Sequence, residues 1–298
     1  MKRAVTCAVW IGIASMAGAI QHPAVEWKDG EIWLTREGEL PVQLTRDGCE
    51  KGREPAWAPD GAKVAYYTNM TVDKPSCPTE VVLLSAGGTR LKTIPALDSG
   101  NAVMGIEWLG NGRIGIDTHI NPSVGQYRVV DVTTGRELAS YSGYGFRPSS
   151  DSNHIAHAGP APHFAPPFAQ SDYLMIDGGI VYPRALGKEP NVRSPDPADR
   201  LLFREIHQFR TDFAWSLDGT RIAFIEKMFD WRADQFGSYY GTDENERWWL
   251  VVVPAAGGGH VQVELRKVGG GVVTVQWTDA DRVKVEGGGV SGEYSVVR

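Results

Sequence analysis

The stretch from Glu226 to Trp249 gathers Asp230, Trp231, Arg232, Tyr239 and Tyr240. Aromatic rings beside a carboxylate and a guanidinium are what a site uses to stack on a sugar or peptide while fixing its polar groups. The competing use is packing, with Phe229, Trp231 and Phe236 covering neighbouring apolar surface. His119, His157 and His163 fall in two other long connections and are the further ligand-contact candidates. An acid/base pair would be drawn from Glu226, Asp230, His157 and His163. His154 and His157 are three apart, so on a strand they point to opposite faces, and Pro160, Pro162, Pro166 and Pro167 around His163 favour an extended path. No metal site and no other cofactor is therefore expected. The chain has no Gly-x-Ser-x-Gly elbow, His-Glu-x-x-His, Gly-rich phosphate loop or Cys-x-x-Cys, and no catalytic residue is assigned.

The N-terminus reads as a cleaved leader. Lys2 and Arg3 form a basic start, Ala4 to Ala19 is uncharged, and Ala17-Gly18-Ala19 supplies the small residues of a cleavage site, giving a signal peptide over 1–19. A spanning helix needs about 20 apolar residues, and Gln21-His22-Pro23 closes this run early, so no membrane span is expected in the mature chain. The expected location is periplasmic or secreted. Cys7 would leave with the leader, and Cys49 and Cys77 then form an even pair in an oxidising compartment, either bridged or as two free thiols. A net charge of −6 repels phosphate backbones and makes nucleic acid an unsuitable partner.

The elements that must position these residues are short strands. The 35 Gly, 18 Pro and 10 Trp point to many turns between strands. Glu54-Pro55-Ala56-Trp57-Ala58-Pro59-Asp60-Gly61-Ala62-Lys63-Val64-Ala65-Tyr66-Tyr67 has an aromatic strand end, a Pro-Asp-Gly turn and a following strand. Phe213-Ala214-Trp215-Ser216-Leu217-Asp218-Gly219-Thr220-Arg221-Ile222-Ala223-Phe224 matches it position for position. Looser copies run through Trp108, Phe146 to Ala156, and Trp277, with a faint echo at Val192 to Phe203. Glu80 to Gly88, Tyr127 to Gly135 and Trp249 to Gly258 each give an apolar strand and a glycine turn, so two hairpins make a four-stranded unit.

These hairpins resemble the PD40 (WD40-like) repeats of TolB-like β-propellers. The resemblance implies an all-β propeller of four-stranded blades over 20–298, a single domain with five blades, or six if the echo near Arg193 is real. Trp277 with Val283 to Val285 supplies inner strands, while Glu31 to Thr35 and Val42 to Thr45 look like outer ones, so both ends are expected to share one blade and close the ring. With strands a to d counted outward, the long b–c loops are expected at Asn69 to Thr79, Thr118 to Gly125, Ala158 to Ser171 and Lys227 to Arg247, all on one face. Cys49 and Cys77 then fall on that same face, which favours their pairing. The expected function is a monomeric, non-catalytic module holding an envelope protein, peptide or glycan on the b–c face. The alternative is a hydrolase or lyase acting on a glycan, lactone or peptide.

Overall fold

The computed structural model describes residues 23–52, 54–69, 76–95, 102–120, 124–159, 172–182, 202–232, 242–270 and 272–297. The expected leader over 1–19, His163, Tyr239, Tyr240 and the echo from Val192 to Leu201 lie outside them. The described residues are all-β, with no helix long and apolar enough to cross a membrane.

Five sheets follow one another along the chain. The first holds β1 (Ala24–Lys28), β2 (Glu31–Thr35) and β3 (Val42–Gln43). The second holds β4 (Glu50–Lys51), β5 (Ala56–Trp57), β6 (Lys63–Asn69), β7 (Glu80–Ser85) and β8 (Arg90–Pro95), with β4 and β5 both paired to β6 as one interrupted strand. The third is a seven-stranded path through β9 (Ala102–Trp108), β10 (Arg113–Ile120), β11 (Val124–Asp131), β12 (Glu137–Pro148), β13 (Ile155–Ala158), β14 (Leu174–Ile176) and β15 (Gly179–Tyr182). Gly143 (φ 152°) and Gly145 (φ 66°) sit where β12 leaves β11 and takes up β13, so the path divides into two four-stranded units sharing that strand. The fourth sheet holds β16 (Leu202–Phe209), β17 (Ala214–Trp215), β18 (Arg221–Arg232), β19 (Thr242–Pro254) and β20 (Val261–Leu265). The fifth holds β21 (Val273–Trp277), β22 (Arg282–Gly287) and β23 (Val290–Ser295).

Strands buried on both faces explain the unbroken apolar runs. In β6, Val64 and Tyr66 pack toward Ile32 of the first sheet, while Ala65 packs toward Ile114 and Ile116 of β10. In β18, Ile222 and Phe224 meet Ala156 and Leu174, while Ala223 and Ile225 meet Val283 and Val285. The second and fourth sheets are thus each stacked between a predecessor and a successor.

The repeated tryptophan ties the stack together. Trp57 Nε1 donates to Pro23 O (2.8 Å), Trp108 to Ala56 O (3.0 Å), Trp215 to Arg147 O (2.9 Å) and Trp277 to Ala214 O (2.9 Å), each reaching back one unit. The turn aspartates bond back as their spacing predicts: Asp60, Asp151, Asp218 and Asp279 each accept from the amide two residues on. Side-chain donation from Ser149 and Ser216, with these amides, holds Asp151 and Asp218 down at about 2. Trp215→Phe keeps an aromatic ring and removes the donor together with the pyrrole edge of the indole. The expected loss is about 1 kcal/mol by urea denaturation, and a change within error would show that the bond contributes nothing.

Three expectations change. Among the described residues the first and last strands do not share a sheet: β1 pairs with β2 across an Asp29-Gly30 turn (φ 54° and 81°), a two-residue hairpin signal that gives β1 a partner next door. Leu202 and Phe203, the end of the echo near Arg193, open β16 and pair with β18, so they join the sheet of the Trp215 hairpin. Two of the four long loops are largely strand. Thr118 pairs with Gln126 and His119 with Gly125, while β18 runs to Arg232 opposite Thr242. Opposite charges at Lys227 and Asp243, and at Arg232 and Glu244, hold that hairpin together beyond the body of the sheet.

Candidate functional site

The residues singled out around Asp230 find partners within the fourth sheet. Asp230 accepts from Glu205 N (3.0 Å) and Asn245 Nδ2 (2.9 Å). Arg232 forks onto Glu244 at 2.8 and 3.2 Å. Trp231 is buried at 9% exposure, as is Phe229 at 7%, and Lys227 lies over the Phe229 ring at 4.5 Å. Glu226 is fully buried, with Tyr182 Oη donating to one oxygen (2.7 Å) and His207 Nδ1 on the other (2.7 Å). Gln262 Nε2 in turn donates to Tyr182 Oη (3.1 Å). This network joins the β13–β15 unit to the fourth sheet and leaves neither Glu226 oxygen unbonded. His157 is buried in β13 and His119 is exposed on β10, while His163 lies outside the described residues. Among the described residues no three His, Cys, Asp or Glu side chains gather as a metal site. Cys49 and Cys77 form a disulfide.

A different group of residues surrounds open space. Glu107 and Gly105 lie on one face of β9, Gly115 and Asp117 on the same face of β10, and Tyr127 on β11, because residues two apart on a strand share a face. Asp117 pairs with both Gly105 and Tyr127, and Gly115 pairs with Glu107. Tyr127 crosses β10 diagonally over Gly115 and donates to Glu107 Oε1 at 2.6 Å. A Cβ at Gly115 would stand 1.8 Å from Tyr127 Oη, so the crossing requires glycine. Phe146 and Arg147 of β12 complete the wall of a cavity of about 190 Å³. Gly105 and Ile106 also line a second cavity of about 350 Å³, whose other side carries Glu50, Glu54, Tyr67 and Asn69. The two spaces are neighbours along β9, sharing Gly105 and Ile106 in their walls.

The cleft around Glu107 is acidic and partly dry. Burial raises the Glu107 carboxyl above its ordinary range, against the pull of the Tyr127 hydrogen bond. Burial, aided by the Glu107 charge, pushes Asp117 up to about 6, while Arg147 and His119 pull it down. Of the sequence-chosen residues, His119 is thus the one with a charge felt in the cleft. Arg147 is itself engaged, bonded to Phe146 O (3.0 Å) and paired with Asp212. Lys51, at the second cavity, is buried and turned to Glu31 (2.9 Å) and Asp47 (2.5 Å). Arg147 and Lys51 each already face another carboxylate, so Arg147 offsets the two raised carboxyls only in part.

No family model and no curated protein matches the chain. Solved structures similar to it include the hydrazine synthase of Kuenenia stuttgartiensis, at 13% identity over 91% of this chain and 77% of that one, TM-score 0.43. The β-propeller domain of the trilobed protease from Pyrococcus furiosus is 9% identical over 90% of each chain, TM-score 0.37. An oligogalacturonate lyase in complex with manganese is 11% identical over 88% of this chain and 81% of that one, TM-score 0.39. Likeness at this level carries no argument about activity.

Proposed function

We propose that the chain is an exported, monomeric β-propeller of the TolB-like kind that binds a peptide through an ammonium group in the cleft between β9 and β12. The propeller reading is supported by the repeated Trp hairpins, by units stacked in chain order and by the tryptophan bonds between them. A ring closing between the first and fifth sheets would complete it. The disulfide supports an oxidising compartment, periplasmic or secreted, reached after removal of a leader over 1–19. One observation carries the ligand class. Glu107 and Asp117 are both held above the ordinary carboxylate range at the wall of a cavity whose arginine is already paired. An incoming ammonium would supply the missing charge and gain charge-assisted hydrogen bonds. A peptide also suits a cleft lined by strand backbone and tyrosines.

The test is calorimetric titration at pH 7.5 with a lysyl tripeptide and its fully acetylated counterpart. Binding of the first only is expected, and Asp117→Asn should weaken it about tenfold or more. Equal binding of both peptides, or of neither, overturns the reading. Stability should move the other way. Because the Asp117 pKa is raised on folding, its contribution is full below its unfolded value of 3.8 and is lost as pH rises through about 6. Asp117→Asn should therefore gain about 1–2 kcal/mol at pH 7 and nothing near pH 3.

A second reading has one specific observation in its favour. A carboxyl titrating near 6 beside another raised carboxyl is the environment of a general acid. Turnover of a peptide, lactone or glycan library with a bell-shaped pH profile, abolished by Glu107→Gln or Asp117→Asn, would establish it over simple binding.

A further inference from the structure

Behind the cleft wall lies a buried histidine with an unmet nitrogen. His157 is 1% exposed, and its Nε2 has no hydrogen-bond partner among the described residues. Its Nδ1 lies 3.3 Å from Ala158 O, a long contact. The ring packs against Tyr141 and Phe146, with centroids 5.6 and 5.4 Å away. Gly143 makes room for it, since a Cβ there would come within 2.9 Å of Nδ1. Phe146 is stacked on Tyr127 at 5.2 Å, and Tyr127 holds Glu107. An unbroken row of packed rings therefore leads from His157 to the carboxyl at the cleft.

A neutral imidazole can leave one lone pair unmet in such a slot. An imidazolium carries two N–H donors, and the second has no acceptor among the described residues. The titratable groups facing the ring are Tyr141 of β12 and, beyond Phe146, Tyr127 of β11. The nearest carboxylate felt is Asp177 in the β14–β15 turn, already bonded to His154 (2.6 Å) and Ile155 N (2.9 Å). None of them offers the charged ring an acceptor in the slot. We infer that His157 is an acid-sensitive latch: neutral, it fills the slot that keeps Phe146 and Tyr127 over the cleft, and on taking up a proton it leaves the slot and loosens that wall. Release of a bound ligand on acidification rests on the proposed function. The latch itself does not.

Burial lowers the His157 pKa, so its stabilising effect is present above the ordinary imidazole range and lost as pH falls through the folded value. Glu107 and Asp117, with raised values, have the opposite sign. The informative comparison is therefore wild type against His157→Phe, which fills the aromatic slot and does not titrate. Between pH 7.5 and 5 the wild-type Tm should fall about 5 °C further than that of His157→Phe. In the wild type, NMR should show the Tyr127 and Tyr141 ring signals shifting in step with the His157 titration. A flat Tm difference, or tyrosine signals indifferent to His157, overturns the latch. If His157→Phe does not fold, the wild-type NMR titration decides alone. Protonation of Asp117 weakens lysyl tripeptide binding at pH 5 in both proteins, and a larger loss between pH 7.5 and 5 in wild type than in His157→Phe would connect latch to cleft. Absence of peptide binding at every pH would sink the proposed ligand while leaving the latch to the other two measurements.

Discussion

Gly115→Ala should cost about 2–4 kcal/mol and disable the cleft, although it adds one methyl group to a mid-strand position. The new Cβ would lie 1.8 Å from Tyr127 Oη and 2.3 Å from Cζ. Tyr127 is 2% exposed and stacked on Phe146, so it cannot swing aside without losing both that contact and its bond to Glu107. Alanine would otherwise be better than glycine in a strand, so a destabilisation isolates the clash. A double-mutant cycle makes the cause explicit. In a Tyr127→Ala background the same substitution should be close to neutral or stabilising, because the methyl enters space the ring has left. An equal cost in both backgrounds, read by urea denaturation, would mean that the crossing tyrosine is not what the glycine serves.

Glu107 and Gly115 were hidden in the repeat rather than absent from it. The hairpin bonds Ala58 N to Lys63 O, Leu109 N to Arg113 O, Ser149 N to His154 O and Ser216 N to Arg221 O. These bonds align the units residue by residue. In that alignment Glu107 and Arg147 stand where Ala56 and Ala214 stand, and Asp117 stands where Tyr67 and Ile225 stand. A charge at a position the repeat fills with alanine or a large apolar side chain is the signal that finds the cleft. A loose copy shows the fold in what it keeps and the site in what it changes. The hairpin turns were legible because an Asx turn is local chemistry: Asp218 bonds Thr220 N whatever the rest of the chain does. Asp230, Trp231 and Arg232 misled for the opposite reason. Aromatic and charged residues mixed in one segment have the composition of a site, but alternation along a paired strand sends them to cross-strand partners, and only pairing with β19 reveals that. The Lys28-Asp29-Gly30-Glu31 hairpin is legible in its Asp-Gly pair, a local turn signal that competes with closure between distant ends.

Replacing both Cys49 and Cys77 by alanine should cost about 3–4 kcal/mol, or about 10 °C in Tm, and the loss should be local before it is global. The bridge spans 28 residues, and in the chain-entropy view opening it restores that loop to the unfolded ensemble. What the bridge holds in the folded state is the link between the first two sheets. Lys51, its side chain fully covered, donates to Cys49 O (3.0 Å) and meets Glu31 and Asp47, while Gly48 N donates to Glu31 (3.1 Å). Burial by itself would raise the Glu31 carboxyl, but donors from Thr45, Lys51 and Gly48 outweigh it and hold the group below its usual range. That stabilisation is present above the unfolded pKa and lost as pH falls through the folded one. A segment freed at Cys49 no longer keeps Lys51 in place, so the acid-sensitive part of the stability should shrink together with the total. Hydrogen exchange should therefore quicken first at Gly48, Lys51 and the β4–β6 pairing, while Val251 and Phe224 in the fourth sheet stay protected. Uniform quickening across both regions would show that the bridge acts on the unfolded chain alone, and that the Lys51 cluster stands without it.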